Sequence, residues 1–116
     1  MKDKDKQILE HMIRYCEEIR LAQERFGKDR ETFYNDFVYY NSCCMSLMQM
    51  GELANRLSEE FKEANKAIPW KQIRGIRNIF AHEYAMADKG VVYDTLVENV
   101  PELALMLKAI LERNSM

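Results

Sequence analysis

At 116 residues the chain has the size of one compact domain and is too short to build two independent cores. Hydrophobic residues make up 47% and charged residues 31%, a balance that excludes a largely disordered or low-complexity chain. The formal net charge of −2 excludes nucleic-acid binding driven by overall charge, so any such contact must be local.

The charged start Met1-Lys2-Asp3-Lys4-Asp5-Lys6 lacks the apolar core of a signal peptide. It leads into a first helix expected over 5–26, where Ile8, Leu9, Met12, Ile13, Cys16, Ile19 and Ala22 recur at intervals of three and four. Gly27 ends it. A polar stretch precedes a short helical turn near 32–37 and a long helix running to about 64. Tyr40, Cys43 or Cys44, Leu47, Met50, Ala54, Leu57 and Phe61 form the buried stripe of that helix. Gly51 marks a close helix crossing. A third helix starts at Ile68-Pro69-Trp70, where proline is tolerated because the first helical N–H has no partner. Residues 85–90 form a connection, with Asp88 placed to cap the last helix. That helix carries Val92, Leu96, Val100, Leu103, Leu107 and Ile110, with a kink or break expected at Pro101. The predicted fold is a single all-α domain over 1–116, an up-and-down four-helix bundle with a short extra helix and a kinked last helix.

No run approaches the roughly 20 apolar residues of a membrane span, and the expected location is the cytoplasm. Three cysteines, Cys16, Cys43 and Cys44, form an odd set with an adjacent pair, a poor disulfide framework that reads as buried small hydrophobes. Two histidines, His11 and His82, and no Cys-x-x-Cys argue against a zinc site; no metal or other cofactor is expected.

Chemistry concentrates in the third helix. From 62 to 84 the basic residues Lys62, Lys66, Lys71, Arg74 and Arg77 face only Glu63 and Glu83, a locally positive segment able to attract phosphate, with Lys71 and Arg74 as candidate contacts. At about 100° per residue, Arg77, Ala81 and Tyr84 share one stripe, while Asn78 and His82 share a neighbouring one. Arg77 and His82 then diverge by about 140°. Either the helix ends near His82 and lets the imidazole swing, or a two-fold dimer assembles two copies of each group in one cleft; the dimer is the preferred expectation. Such a cleft suits RNA cleavage without a metal. His82 can move a proton to or from ribose oxygens, Arg77 can hold phosphate oxygens, and Asn78 can orient the imidazole or donate to the phosphate. Tyr84 can hydrogen-bond or stack.

The run Ile68-Pro69-Trp70-Lys71-Gln72-Ile73-Arg74-Gly75-Ile76-Arg77-Asn78-Ile79-Phe80-Ala81-His82-Glu83-Tyr84 resembles the signature of HepT-like proteins, a branch of the HEPN superfamily. Met50-Gly51-Glu52-Leu53-Ala54-Asn55-Arg56-Leu57-Ser58 upstream extends the resemblance. So do Asp88, Val92 and Tyr93, and Val100-Pro101-Glu102-Leu103, downstream. The short pattern Arg-x(4 to 6)-His is weak alone; Arg-Asn-x-x-x-His-x-Tyr after a Pro-Trp helix start is far more specific. The resemblance implies a helical bundle, a homodimer and a metal-independent ribonuclease that is the toxin of a toxin–antitoxin pair. Arg77 and His82 would be catalytic, with Asn78 assisting. Tyr84 would accept AMP from a minimal nucleotidyltransferase antitoxin. Leu53, where alanine is frequent, and the large Phe80 depart from the family pattern and bear on substrate fit. The competing reading is a non-catalytic helical adaptor, or substrate-binding subunit, of a nucleotidyltransferase.

Overall fold

The computed structural model describes residues 1–80 and 87–114. Among these every regular element is helical: α1 (Asp3–Phe26), α2 (Arg30–Asn35), α3 (Phe37–Arg56), α4 (Glu59–Ala64), α5 (Trp70–Ile79), α6 (Lys89–Asp94), a π-helical turn over Thr95–Asn99, and α7 (Val100–Asn114). The all-α bundle expected from the sequence is the fold observed. α3 lies at its centre, packed on α1 along one flank and on α5 along the other, while α7 packs on α1. Leu9, Met12, Leu47, Met50, Ala54, Val92 and Leu107 are wholly buried in one continuous apolar core. None of the helices among the described residues is long and apolar enough to cross a membrane.

The ends of α1 and α2 follow local chemistry. Gly27 takes φ 95°, the left-handed region where a side chain is strained, and its N–H closes on the Gln23 carbonyl. Asp29 caps α2 through the Thr32 N–H, and Asp36 caps α3 through the N–H groups of Val38 and Tyr39.

The long helix expected to reach residue 64 is interrupted. It stops at Arg56, Leu57 becomes extended, and Ser58 caps the separate α4 by accepting from the Phe61 N–H. The cause is a long-range contact that periodicity does not register. Asp5, 2% exposed, accepts from the Ser58 N–H at 2.9 Å and the Ser58 hydroxyl at 2.7 Å. A continuous helix would spend that N–H internally and leave the buried carboxylate unpaired, which is costly.

Pro101 produces no break. Just upstream the helix widens into the π turn, and the Val100 N–H reaches back to the Thr95 carbonyl. Widening relieves the clash between the proline ring and the carbonyl one turn earlier and keeps the apolar stripe intact. Pro69 stands at the N-cap of α5, one position before the first helical residue expected for it. Trp70 anchors this start: it packs against Phe61 and donates Nε1–H to the Asn65 carbonyl.

Candidate functional site

α5 presents the candidate residues because its buried stripe of Trp70, Ile73, Ile76 and the following Phe80 fixes its rotation against the core. Arg77 falls at the edge of that stripe and runs along α3. The crossing there is close: a Cβ on Gly51 would stand 3.0 Å from Cγ of Arg77 and 3.4 Å from the Ile73 carbonyl oxygen. The close approach expected at Gly51 is therefore real, and its partner is Arg77. One residue on, Glu52 Oε1 takes the Nε–H of Arg77 at 2.8 Å, with both side chains nearly half exposed. Contact through Nε leaves the two terminal guanidinium nitrogens without a partner among the described residues, open to a phosphate.

Asn78 is exposed one step around the helix. With Lys71, Arg74 and Asn55 it lines a shallow concavity of about 510 Å³. Three members of the basic run are paired: Lys62 is buried against Glu59, Lys66 pairs with Glu63, and Arg77 with Glu52. Lys71 and Arg74 enter no ion pair among the described residues, so local positive potential gathers at this concavity. His82 and Tyr84 lie outside the described residues.

The chain entering and leaving 81–86 is firmly held. Phe80 is buried at the end of α5. On the far side Asp88 caps α6 through the Gly90 and Val91 N–H groups, as expected. Lys89 donates to the Tyr34 carbonyl at 2.9 Å. Arg30 spans from α2 to Asp94 at 3.0 Å and lies over the Tyr93 ring, and the Tyr93 hydroxyl donates to the Lys28 carbonyl.

Glu52 and Asn55 are the site residues that sequence reasoning missed. The signal available was their position one turn apart on α3 beside a glycine that admits another helix; charge alone did not point to them. The three cysteines are buried, as expected. Burial pushes the Cys16 and Cys44 thiols up to about 11 and Cys43 to about 12, so they carry no thiolate chemistry near neutral pH.

Comparison with known proteins identifies the family of the chain. The sequence model of the family described as Ribonuclease HepT-like matches residues 12–110. A relative from Caldanaerobacter subterraneus subsp. tengcongensis, whose name gives it a provisional RNase assignment, is 33% identical over 105 residues, covering 90% of this chain and 92% of its own. The protein of Thermococcus cleftensis named as a probable ribonuclease HepT is 27% identical over 94 residues, 77% of this chain and 86% of its own. No solved structure matches the chain at a comparable level.

Proposed function

The chain belongs to the HepT-like ribonuclease family, and from that premise we propose that it is a metal-independent endoribonuclease, the toxin of a toxin–antitoxin pair, working as one domain in a homodimer. The observation that carries this reading is the family match across residues 12–110, within which Arg77, held by Glu52, stands beside the basic concavity of Lys71, Arg74 and Asn78.

In the proposed reaction the RNA backbone lies along that concavity, with Lys71 and Arg74 on flanking phosphates. His82 takes the proton of a ribose 2′-hydroxyl, whose oxygen attacks the adjacent phosphorus. The bond from phosphorus to the 5′-oxygen breaks, and that oxygen takes the proton back from the same imidazolium, with Arg77 supplied across the shared cleft by the other copy. Arg77 offsets the charge gathering on the phosphate oxygens, and Asn78 orients the imidazole or donates to the phosphate. The products are a 2′,3′-cyclic phosphate and a free 5′-hydroxyl. A minimal nucleotidyltransferase, the antitoxin, transfers AMP from ATP to the Tyr84 oxygen, which loses its proton, and pyrophosphate leaves. The added phosphate then competes for Arg77 and plugs the site. Both proteins act in the cytoplasm.

The test is a cleavage assay on total RNA with protein purified in EDTA. Wild type yields cyclic phosphate ends and His82→Ala yields none; cleavage that survives His82→Ala overturns the reading. Intact mass after co-expression with a neighbouring nucleotidyltransferase tests the regulation, with AMP adducts expected at Tyr84. The absence of both RNA cleavage and growth arrest on expression alone would assign the chain to the adaptor role instead.

A further inference from the structure

Gly75 sits in the middle of α5 with no reason among the described residues to be glycine. Its φ is not in the left-handed region, and a Cβ added there would meet nothing within 4 Å among the described residues. Glycine at a helix interior weakens the helix relative to alanine, because it gives up more backbone freedom on folding. Nothing within the described chain requires that concession, in contrast to Gly51, which Arg77 crowds.

The surroundings of Gly75 supply a reason. On one side lies the concavity of Lys71, Arg74 and Asn78; on the other, between α5 and the π turn with α7, lies a cleft of about 580 Å³. Gly75 and Gln72 line both. At about 100° per residue, Lys71, Arg74 and Asn78 fall to one side of Gly75, and Gln72, Ile76 and Ile79 to the other. Gly75 is thus a saddle, low because it has no side chain, joining a basic surface to an apolar cleft.

The cleft differs in chemistry from the concavity. Ile76, Ile79 and Met106 give it apolar walls, and Gln72, Asn99 and Glu102 bring polar groups to it. The amides of Gln72 and Asn99 bond to no other described residue. Glu102 is the one charged lining residue among those described, so the cleft disfavours phosphate and favours a flat group with hydrogen-bond donors on its edge. Guanine fits that demand best. Its Watson–Crick edge sets N1–H and the exocyclic amino group side by side, a pair that one carboxylate can accept, and an amide can donate to its carbonyl oxygen. Adenine and cytosine each place one donor beside an acceptor, and uracil places one between two acceptors.

We propose that single-stranded RNA crosses α5 at Gly75, with a guanine base in the α5–α7 cleft read by Glu102 and its backbone phosphate on Lys71 and Arg74. This rests on the ribonuclease reading and supplies the base preference that reading lacks. The experiment measures binding, not cutting. Labelled heptamers of uridine, with guanine, adenine or cytosine at the centre, are titrated into the His82→Ala chain by fluorescence anisotropy. The guanine heptamer binds about tenfold tighter than the other two. Glu102→Gln removes the preference while still binding all three. Gly75→Ala raises the melting temperature by roughly 2 to 5 °C yet weakens binding, and Gly75→Leu weakens it at least about tenfold. Equal affinity for the three heptamers overturns the proposal, as does undiminished binding by Gly75→Ala. A change of solution mass in Gly75→Leu without a change in RNA affinity also overturns it, because it would make Gly75 a crossing point between two copies. Wild-type cleavage of total RNA alongside any of these failures leaves the ribonuclease reading standing and this inference alone refuted.

Discussion

At the scale of single residues, the placement of Arg77 depends on what position 51 lacks. A methyl group there would crowd Cγ of Arg77 at 3.0 Å, so Gly51→Ala is expected to move the guanidinium while gaining helix propensity. Stability should change by less than about 1 kcal/mol, because the two effects oppose, while RNA cleavage falls at least about tenfold. Glu52→Ala should act in the same direction on cleavage with little effect on melting, since a half-exposed ion pair contributes only about 0.2–1 kcal/mol. Unchanged cleavage in both variants would remove Glu52 and Gly51 from the site. The buried cysteines make a second prediction. Their thiols ionise at about 11 to 12 in the folded chain but near 9.0 when exposed. Above pH 9 the unfolded chain therefore holds fewer protons than the folded one, and stability falls as pH rises toward 11. Thermal melts across that window should show the decline, and replacing all three with alanine should reduce it to the part due to Tyr39, whose hydroxyl burial also pushes up to about 12. The sequence made Gly51 legible as a crossing and the cysteines as core, because packing follows from side-chain size and periodicity. It left Glu52 without a role, because its partner is 25 residues away, counted from Glu52 to Arg77, on another helix.

At the scale of elements, the bundle was legible wherever a stripe recurs every three to four residues. Gly27 and Asp88 marked their boundaries correctly because the signal is local. The break between α3 and α4 was hidden because Leu57 and Phe61 continue the apolar stripe across it, and only Asp5, from the first turn of α1, demands it. Ser58→Ala removes both the cap of α4 and one bond to the buried carboxylate. It should cost about 2 kcal/mol, read from urea denaturation. A loss below about 0.5 kcal/mol would mean that α4 needs neither. Pro101 was legible as a perturbation but not in its form, since a missing N–H can be met by a break, a kink or a widened turn. The apolar residues on both sides of it, Leu96 and Leu103 among them, are buried and favour the form that keeps one continuous face.

At the scale of the whole molecule, the proposed shared cleft makes a prediction that no single chain can satisfy. Arg77→Ala and His82→Ala should each be inactive alone. Mixed and allowed to exchange partners, they should regain activity on the order of a tenth of wild type or more, because the mixed dimer carries one intact copy of each group. The solution mass should be twice that of the 13.8 kDa chain. A single-chain mass, or no recovery on mixing, would place the whole site within one copy. Family membership was legible here from the motif run alone, since Arg77-Asn78 and the Pro69-Trp70 helix start are local spellings. The saddle at Gly75 was not, because it exists only once α7 lies opposite α5.

The bond between Asp5 and Ser58 also orders events in time. Both residues, and all of α1 and α3, precede α5 in the chain, and a protein is made from its N-terminus onward. The notch at Gly51 and Glu52 is therefore synthesised before the arginine that fills it. A chain cut short before α5 therefore carries the residues of the notch but no Arg77 to fill it.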